Sequence, residues 1–240
     1  MGRTIAVLCA FDQHHRRLRL VDLAERTGLT PPTTLRIARQ LVEGGLLERL
    51  DDGAYVVARR VWDLGLLAPA PTALRDVAAP YLQDLHAATR ATVHLAVRDG
   101  DRALYLDRLS GSASTKVVSQ PGARLPLHAT GVGKVLLAHA PQDVQERVLH
   151  DLHRVTPFTI TSPALMRAQL ERVRRGAVAT TADEMTPGAS SVAVPVRGGD
   201  DEVVAALGLV VTSLRRDRLR LTAALTVAAA GVTRELGRVR

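Results

Sequence analysis

The sequence predicts an α+β protein with a winged helix-turn-helix domain over residues 1–60, a linker helix over residues 61–71 and a second domain over residues 72–240. Three observations support this prediction: a helix-turn-helix pattern near the N-terminus, a β-hairpin pattern directly after it, and interleaved strand and helix patterns in the rest of the chain. The composition, 46% hydrophobic and 23% charged, is typical of a globular protein with ample material for a core.

The helix-turn-helix prediction centres on a helix that begins shortly after Gly28. This glycine tolerates a positive φ at the end of the preceding helix, which we predict over residues 20–27. Thr30 is a suitable N-cap, and Pro31 fits the next position because the N–H that it lacks would be unpaired there. Side chains then recur at i, i+3, i+4 and i+7, which predicts a buried stripe of Thr34, Ile37, Ala38 and Leu41.

The opposite face of this helix carries polar groups that could read DNA. Arginine can pair with guanine and glutamine with adenine in the major groove, although a solvated amphipathic helix fits the same pattern equally well. Residues 46–50 and 54–57, joined by Asp51-Asp52-Gly53, predict a hairpin that would form the wing and favours DNA binding. The candidate DNA contacts are Thr33, Leu35, Arg36, Arg39 and Gln40 on the helix, Arg17 in the loop before the motif, and Tyr55 in the wing.

Charge and cysteine content exclude some classes of site. The net charge of +8 favours an anionic partner, but the chain through residue 66 holds ten Arg against eight acidic residues, so the charge does not concentrate on the motif. Aromatic residues make up only 2% of the chain, which disfavours base-stacking binders. Cys9 is the only cysteine, which excludes an intrachain disulfide and a thiolate zinc cluster, and its apolar neighbours predict a buried, inert thiol.

No metal-ligand spacing occurs among the eight histidines, so we expect no metal, and we find no motif that requires a cofactor. There is no secretory signal and no apolar run long enough to cross a bilayer, which predicts a cytoplasmic protein.

The second half of the chain predicts a mainly antiparallel sheet flanked by helices. Trp62 lies in the linker helix, where it would pack on the wing or pair with a second subunit. The predicted strands are 92–97, 103–106, 114–119, 191–196 and 203–212, and the predicted helices are 72–88, 129–138, 141–152, 162–175 and 219–238, with a loop over 122–128.

The segment Gly131-Val132-Gly133-Lys134 superficially resembles a phosphate-binding loop. The match fails, because His128 stands where that loop needs a glycine and Val135 stands where it needs a hydroxyl. Two glycines at the start of an apolar helix could bring backbone N–H groups close to an anion, or they could allow close helix–sheet packing. Both interpretations remain open from the sequence.

A hydrolase triad could be assembled from the residue types of His128, Asp183 and Ser190 or Ser191. No nucleophile elbow is present, however, so catalysis is disfavoured and we expect no enzyme. A DNA-binding regulator has two alternatives: an enzyme with an accessory N-terminal half, and a protein-interaction module. The wing and the outward arginines argue against the protein-interaction module.

Nearly the whole chain resembles the isocitrate-lyase-regulator (IclR) family of bacterial transcription regulators. The resemblance rests on residues 20–29 (LVDLAERTGL), 52–55 (DGAY), 122–134 (GARLPLHATGVGK), 156–160 (TPFTI) and 191–196 (SVAVPV), with Thr33 and Arg36. It implies a winged helix-turn-helix, a linker helix and a C-terminal effector domain resembling the GAF fold. It also implies dimers, often paired into tetramers, palindromic double-stranded operators, and a small organic acid or aromatic metabolite as effector.

The resemblance also implies a set of effector-pocket residues, and the chain departs from its relatives among them. The set is Leu125, His128, Gly131, Val132, Asp183, Ala193, Gly208 and Val210. Relatives that bind small carboxylates tend to carry thiol or hydroxyl groups at three of these positions, here Ala193, Gly208 and Val210. We therefore expect a larger, less polar effector whose anionic or polar end lies near Gly131 and Asp183.

The recognition helix departs from its relatives as well. Pro31 and Pro32 stand where relatives often have Lys and Ser, which removes a phosphate contact and two N–H groups. Leu35 replaces a polar or aromatic residue and could touch thymine methyl groups, so an unusual operator sequence is expected.

Overall fold

The computed structural model describes residues 2–12, 15–65, 67, 69–111, 118–215 and 217–238. The chain divides into two compact units, Met1–Thr72 and Ala73–Arg240. Among the described helices, none combines the length and the apolar character needed to span a bilayer.

The N-terminal unit contains four helices and a small antiparallel sheet. The helices are α1 (Gly2–Cys9), α2 (Leu20–Thr27), α3 (Pro31–Glu43) and α4 (Arg59–Gly65), and the strands are β1 (Arg17–Leu18), β2 (Leu47–Arg49) and β3 (Tyr55–Val57). The sheet order is β1-β3-β2, so the predicted two-stranded wing gains a third strand from residues expected to be a loop. Two residues are too few to show a strand periodicity in the sequence, which explains why β1 was missed.

The helix-turn-helix forms as its sequence predicts. Gly28 ends α2 with a φ of +66°, the left-handed conformation that glycine accommodates without strain. Pro31 occupies the first position of α3, and the buried stripe of Thr34, Ile37, Ala38 and Leu41 is confirmed. Thr30 occupies the N-cap position, but its hydroxyl donates to Thr33 Oγ1 at 3.0 Å and caps no backbone N–H. Packing rather than capping therefore stabilises this end of α3.

The prediction for Cys9 is wrong, because the thiol is exposed. On α1 the buried residue is Val7, which joins a core with Leu23, Ile37 and Leu47. Cys9 lies two residues from Val7, on another side of the helix.

The C-terminal unit is a six-stranded antiparallel sheet covered on both faces. Its order is β6-β5-β4-β9-β8-β7, which confirms the predicted antiparallel architecture. The strands are β4 (Thr92–Asp99), β5 (Arg102–Leu109), β6 (Arg124–Pro126), β7 (Ala179–Ala182), β8 (Ser190–Arg197) and β9 (Val203–Val211), and the helices are α5 (Pro69–Thr89), α6 (Gly131–Ala138), α7 (Gln142–His150), α8 (Pro163–Arg174) and α9 (Arg218–Arg238).

Strand alternation divides the sheet between two cores. Residues such as Val93, Leu95 and Leu207 pack with side chains of α5 and α9. Their neighbours Ala96 and Ala206 pack with side chains of α6, α7 and α8. Because successive side chains of a strand point to opposite faces, the sequence of each central strand supplies both cores at once.

Two strands differ from the sequence prediction. Residues 124–126 form β6 within the segment that was expected to be a loop. The predicted third strand at 114–119 lies outside the described residues up to 117, and residues 118–119 are not a strand. The four residues of β7 were not predicted, because the run Ala-Thr-Thr-Ala has too few apolar positions to show alternation.

Candidate DNA-contacting face and ligand pocket

The outward face of α3 carries the DNA-contact candidates. Arg36, Arg39 and Gln40 are exposed, whereas Thr33 and Leu35 are half-buried. No carboxylate of the described residues lies within ion-pair distance of the Arg36 or Arg39 guanidinium. Both charges are therefore available to an external anion.

Arg17 is engaged within the wing but remains accessible. Its guanidinium forms an ion pair with Asp52, in the turn between β2 and β3, and more than half of the Arg17 side chain stays exposed. The hydrogen bond from Arg17, followed by one from the Ala54 backbone, holds the pKa of Asp52 below its ordinary value. This pair braces β1 against the hairpin tip.

Tyr55 does not belong with the candidate DNA contacts, and the expectation for it is corrected. Its side chain is only 2% exposed and packs in the core of the N-terminal unit. Tyr55 takes the inward position at the start of β3, so its ring supports the wing from inside. The Arg49 guanidinium lies 6.0 Å from the ring centroid.

The C-terminal unit contains a pocket between the N-terminal end of α6 and one face of the sheet. Its cavity volume is about 50 Å³, and it opens to the protein surface. Antiparallel register builds it: His94 lies opposite Gly208, Val210 lies opposite Ser191, and Ser191 lies opposite Thr181. Directly paired residues share a face, so strands β4, β9, β8 and β7 all contribute to one wall.

Three glycines of this region are required by close packing. A Cβ on Gly131 would lie 2.5 Å from Ser191 Oγ, and a Cβ on Gly208 would lie 2.7 Å from Val132 Cγ1. In the same helix, a Cβ on Gly133 would lie 2.4 Å from the Leu127 carbonyl oxygen. Helix–sheet packing, one of the two open interpretations of the glycine motif, therefore explains Gly131 and Gly208, whereas Gly133 packs against the turn before the helix. Gly131 also lines the pocket.

The described lining residues carry no ionised side chain, but they carry many hydroxyl groups. Leu125, Ala129 and Met185 supply apolar surface, and the hydroxyls belong to Tyr105, Ser119, Thr130, Thr181, Thr186, Ser190 and Ser191. The hydrogen-bonding capacity expected to be lost at Ala193, Gly208 and Val210 is thus present at other positions. The pocket is uncharged, and most of its surface is apolar.

His94 is the titratable ring of the pocket, and it is held neutral. Burial, assisted by the charge of Arg108, lowers the pKa of His94 to about 3. Its Nε2 lies 2.7 Å from Ser119 Oγ, and its ring meets the Tyr105 ring edge to face at 5.0 Å. Burial also raises the pKa of the Tyr105 phenol, which therefore stays protonated. A ligand meets an imidazole and a phenol as uncharged hydrogen-bonding groups.

The structure brings five of the eight predicted effector residues to the pocket. These are Leu125, Gly131, Val132, Gly208 and Val210. Ala193 lies behind the lining, where its methyl group would be 3.4 Å from a Cβ on Gly131, so it fills the helix–sheet interface.

His128 and Asp183, which the resemblance places in or beside the pocket, are not among the residues that line it, although each lies within two positions of one that does. His128 Nε2 lies 2.9 Å from the carbonyl oxygen of His153, and both histidines line a separate surface groove. Asp183 Oδ1 accepts the Gly188 N–H at 2.6 Å, which shapes the loop that carries Met185 and Thr186 to the pocket. The residue types of the disfavoured triad are therefore not assembled around a common point.

Sequence reasoning missed His94, Tyr105 and Ser119. The signal for His94 was present, because a histidine and Thr92 interrupt an otherwise apolar strand at alternating positions. Tyr105 and Ser119 gave no such signal, since a β-bulge between Leu95 and Ala96 shifts the register of β5 and Ser119 lies outside any regular element. Among the described residues, no group of three or more metal-ligating side chains occurs.

Comparison with known proteins supports both halves of this description. Residues 2–51 match the IclR helix-turn-helix domain model, and residues 70–234 match the model for the bacterial transcriptional regulator IclR C-terminal domain. The HTH-type transcriptional regulator XynR of Escherichia coli (strain K12) is 28% identical, over 91% of this chain and 88% of that protein. The glycerol operon regulatory protein of Streptomyces coelicolor is 30% identical, over 99% and 96% respectively.

A solved structure resembles the whole chain. An IclR homolog from Microbacterium hydrocarbonoxydans, crystallised in complex with 4-hydroxybenzoate, superposes with a TM-score of 0.94 and 32% identity, covering 100% of this chain and 99% of the other. A winged helix-turn-helix followed by a ligand-pocket domain defines a DNA-binding transcriptional regulator. The chain belongs to the IclR family of such regulators. Its relatives are named as regulators and not as enzymes.

Proposed function

We propose that this chain binds palindromic operator DNA in the cytoplasm and that a small organic acid in the pocket sets its operator affinity. The observation that carries the proposal is that one chain combines an exposed, unpaired arginine face on α3 with an uncharged pocket in the C-terminal unit. In this division of labour residues 1–60 contact DNA, residues 61–71 form the linker, and residues 72–240 bind the effector.

Base recognition would fall to the middle of α3. Arg36 and Gln40 lie one turn apart and share a face, where arginine reads guanine and glutamine reads adenine. Pro31 and Pro32 remove two backbone N–H groups from the start of the helix, so phosphate contacts there depend on side chains such as Thr33 and Arg17.

The chemistry of the pocket lining suits a small organic acid. The hydroxyls and the neutral His94 can orient a polar ligand against the apolar surface of Leu125 and Met185. The similar protein from Microbacterium hydrocarbonoxydans was crystallised with 4-hydroxybenzoate, which makes this acid the first ligand to test.

A dimer would connect the two activities. No residue of α4 is buried within the chain, and Trp62, Leu64 and Leu67 are 62%, 51% and 76% exposed. Burying these side chains against a second copy would present two α3 helices to two half-sites. The effector would then favour one arrangement of the two α3 helices over another and so change operator affinity. Two such dimers would pair into a tetramer.

Fluorescence anisotropy on the DNA upstream of the chain's own gene tests the proposal, with a scrambled duplex and a salt series beside it. We expect the protein to prefer the upstream DNA by roughly a hundredfold or more at physiological salt. We also expect 4-hydroxybenzoate to shift that affinity, while glucose, a neutral control, leaves it unchanged. Equal and steeply salt-dependent binding to both duplexes, followed by failure to select any preferred site from random DNA, would reject a sequence-specific regulator.

A further inference from the structure

Two buried polar groups in the C-terminal unit have no hydrogen-bond partner among the residues that the structure describes. They are the Thr92 hydroxyl and the Arg108 Nε–H. Thr92 is fully buried, and its Oγ1 has no hydrogen-bond partner among the described residues. Native proteins rarely leave such groups unpaired, so each needs an explanation.

Both groups lie on the pocket face of the sheet. Thr92 is paired directly with Val210, and Arg108 is paired directly with His94. Val210 and His94 line the pocket. Since directly paired residues of antiparallel strands point to the same side, Thr92 and Arg108 are diagonal neighbours on the face of the sheet that carries the pocket.

Contacts tie the Arg108 guanidinium to the pocket lining. Its Nη1 donates to the Ser119 carbonyl oxygen at 3.2 Å, and Ser119 Oγ lies 2.7 Å from His94 Nε2. The nearest acidic neighbour in sequence, Asp107, is engaged with Arg75 through one oxygen and with the Arg108 backbone N–H through the other. No described carboxylate forms an ion pair with Arg108. The guanidinium is a fixed positive charge beside an otherwise neutral pocket.

We propose that Arg108, with Thr92, forms an anion subsite that receives the carboxylate of the effector. The inference rests on the proposed function of the pocket and names the group that selects acids over neutral analogues. A carboxylate accepts from two donors at once, which would satisfy the Arg108 Nε–H and the Thr92 hydroxyl together. The hydroxyls near Ser191 and Thr181 would then meet the opposite end of the ligand.

Isothermal titration with a matched pair of probes tests this subsite. 4-Hydroxybenzoate and 4-hydroxybenzamide have the same ring and phenol but differ in charge. We expect the wild-type protein to bind the acid roughly 10- to 100-fold more tightly than the amide, the range of a charge-assisted hydrogen bond. In R108Q the acid should lose this advantage while the amide keeps its affinity, and T92V should lose part of it.

Two further variants control the experiment. R102Q removes an exposed arginine from the same strand and should leave the preference for the acid unchanged. R108K retains the positive charge without the Nε–H, so it should keep an intermediate preference, and it tests the subsite if R108Q does not fold.

The outcomes separate this inference from the function on which it rests. Wild-type protein that binds its operator but shows no preference for the acid, or binds neither probe at millimolar concentration, overturns the subsite alone. A preference for the acid that is undiminished in R108Q, or in R108K if R108Q does not fold, also overturns it, because the carboxylate then binds elsewhere. Loss of specific operator binding in the wild type would instead overturn the proposed function.

Discussion

The Nζ of Lys134 lies 2.7 Å from Oε1 and 2.9 Å from Oε2 of Glu184, and the two side chains are only 1% and 7% exposed. The ammonium also donates to Gln169 Oε1 at 2.8 Å, so its donors are well used. Burial lowers the pKa of Lys134 and raises that of Glu184, while each charge opposes the shift of the other. Lys134 of the glycine motif is thus an internal counter-ion and not a phosphate ligand.

This pair supports the pocket from behind. Glu184 precedes Met185, which lines the pocket, and the Glu184 carbonyl oxygen accepts the Thr159 hydroxyl at 2.7 Å. The Thr156 hydroxyl donates to the neighbouring Asp183 carbonyl oxygen at 2.7 Å. The loop that forms one pocket wall is therefore tied to α6 and to the 156–159 turn.

Replacing Lys134 by methionine should strongly destabilise the C-terminal unit. K134M leaves the Glu184 carboxylate buried without its counter-ion, which typically costs about 3–5 kcal/mol of unfolding free energy. Urea unfolding would measure the loss. The double variant K134M/E184M should recover most of it, because an apolar pair of similar volume replaces a buried ion pair at little cost. R147A, which breaks an exposed ion pair of the same unit, is the control and should change the midpoint little. A double variant no more stable than K134M would contradict this account.

Arg36 should carry base-specific affinity. R36A is expected to weaken operator binding by roughly 1–3 kcal/mol and to relax the preference at one base pair, if the guanidinium pairs with guanine. Anisotropy with single-base operator variants measures both effects, and R3A, on α1, serves as the arginine control. Equal weakening on all duplexes, with a shallower salt dependence, would reassign Arg36 to a phosphate contact.

Tyr55 should matter for stability and not for DNA contact. Y55F keeps the buried ring and should change operator affinity by no more than about twofold. Y55A should lose about 3–5 kcal/mol of unfolding free energy, because a large buried ring leaves a cavity. If Y55F alone cost tenfold or more in operator affinity without a change in stability, the phenol would have to reach DNA.

Acidification should destabilise the protein through His94. Its folded pKa, about 3, lies below the ordinary value of 6.5, so the unfolded chain binds a proton that the folded chain does not between these values. The contribution of neutral His94 to the free energy of unfolding is fully present above pH 6.5 and decreases as the pH falls towards 3. From pH 7 to pH 5 the wild type should lose about 2 kcal/mol more than H94Q, as measured by urea unfolding at both values. Equal losses in the two proteins would show that His94 is accessible to protons in the folded state.

Gly208 should be intolerant of a side chain because of Val132. G208A places a Cβ 2.7 Å from Val132 Cγ1, and such overpacking typically costs about 1–3 kcal/mol. In G208A/V132A the opposing side chain is truncated, so the double variant should be more stable than the sum of the two single losses predicts. A double-mutant cycle based on thermal melting would measure this coupling. Strictly additive effects would mean that the two side chains do not compete for the same space.

Local patterns determined much of the fold. The period of apolar residues in α3, the turn chemistry of Gly28 and the Asp-Gly hairpin are properties of a few adjacent residues, and they predicted the helix-turn-helix and the wing. The alternation in β4 and β9 likewise predicted an antiparallel sheet. These features follow from backbone geometry and side-chain periodicity, which the chain specifies without distant contacts.

The pocket was decided only by the tertiary structure. Register across four strands brings His94, Thr181 and Ser191 together, and no local pattern encodes the pairing of residues that lie more than a hundred positions apart, such as His94 and Gly208. The turn after β6 places His128 against His153, and the Arg108 Nε–H has no partner among the described residues. By itself the sequence determined which strands and helices form; long-range register, set by how the two cores pack on opposite faces of the sheet, decided which side chains meet.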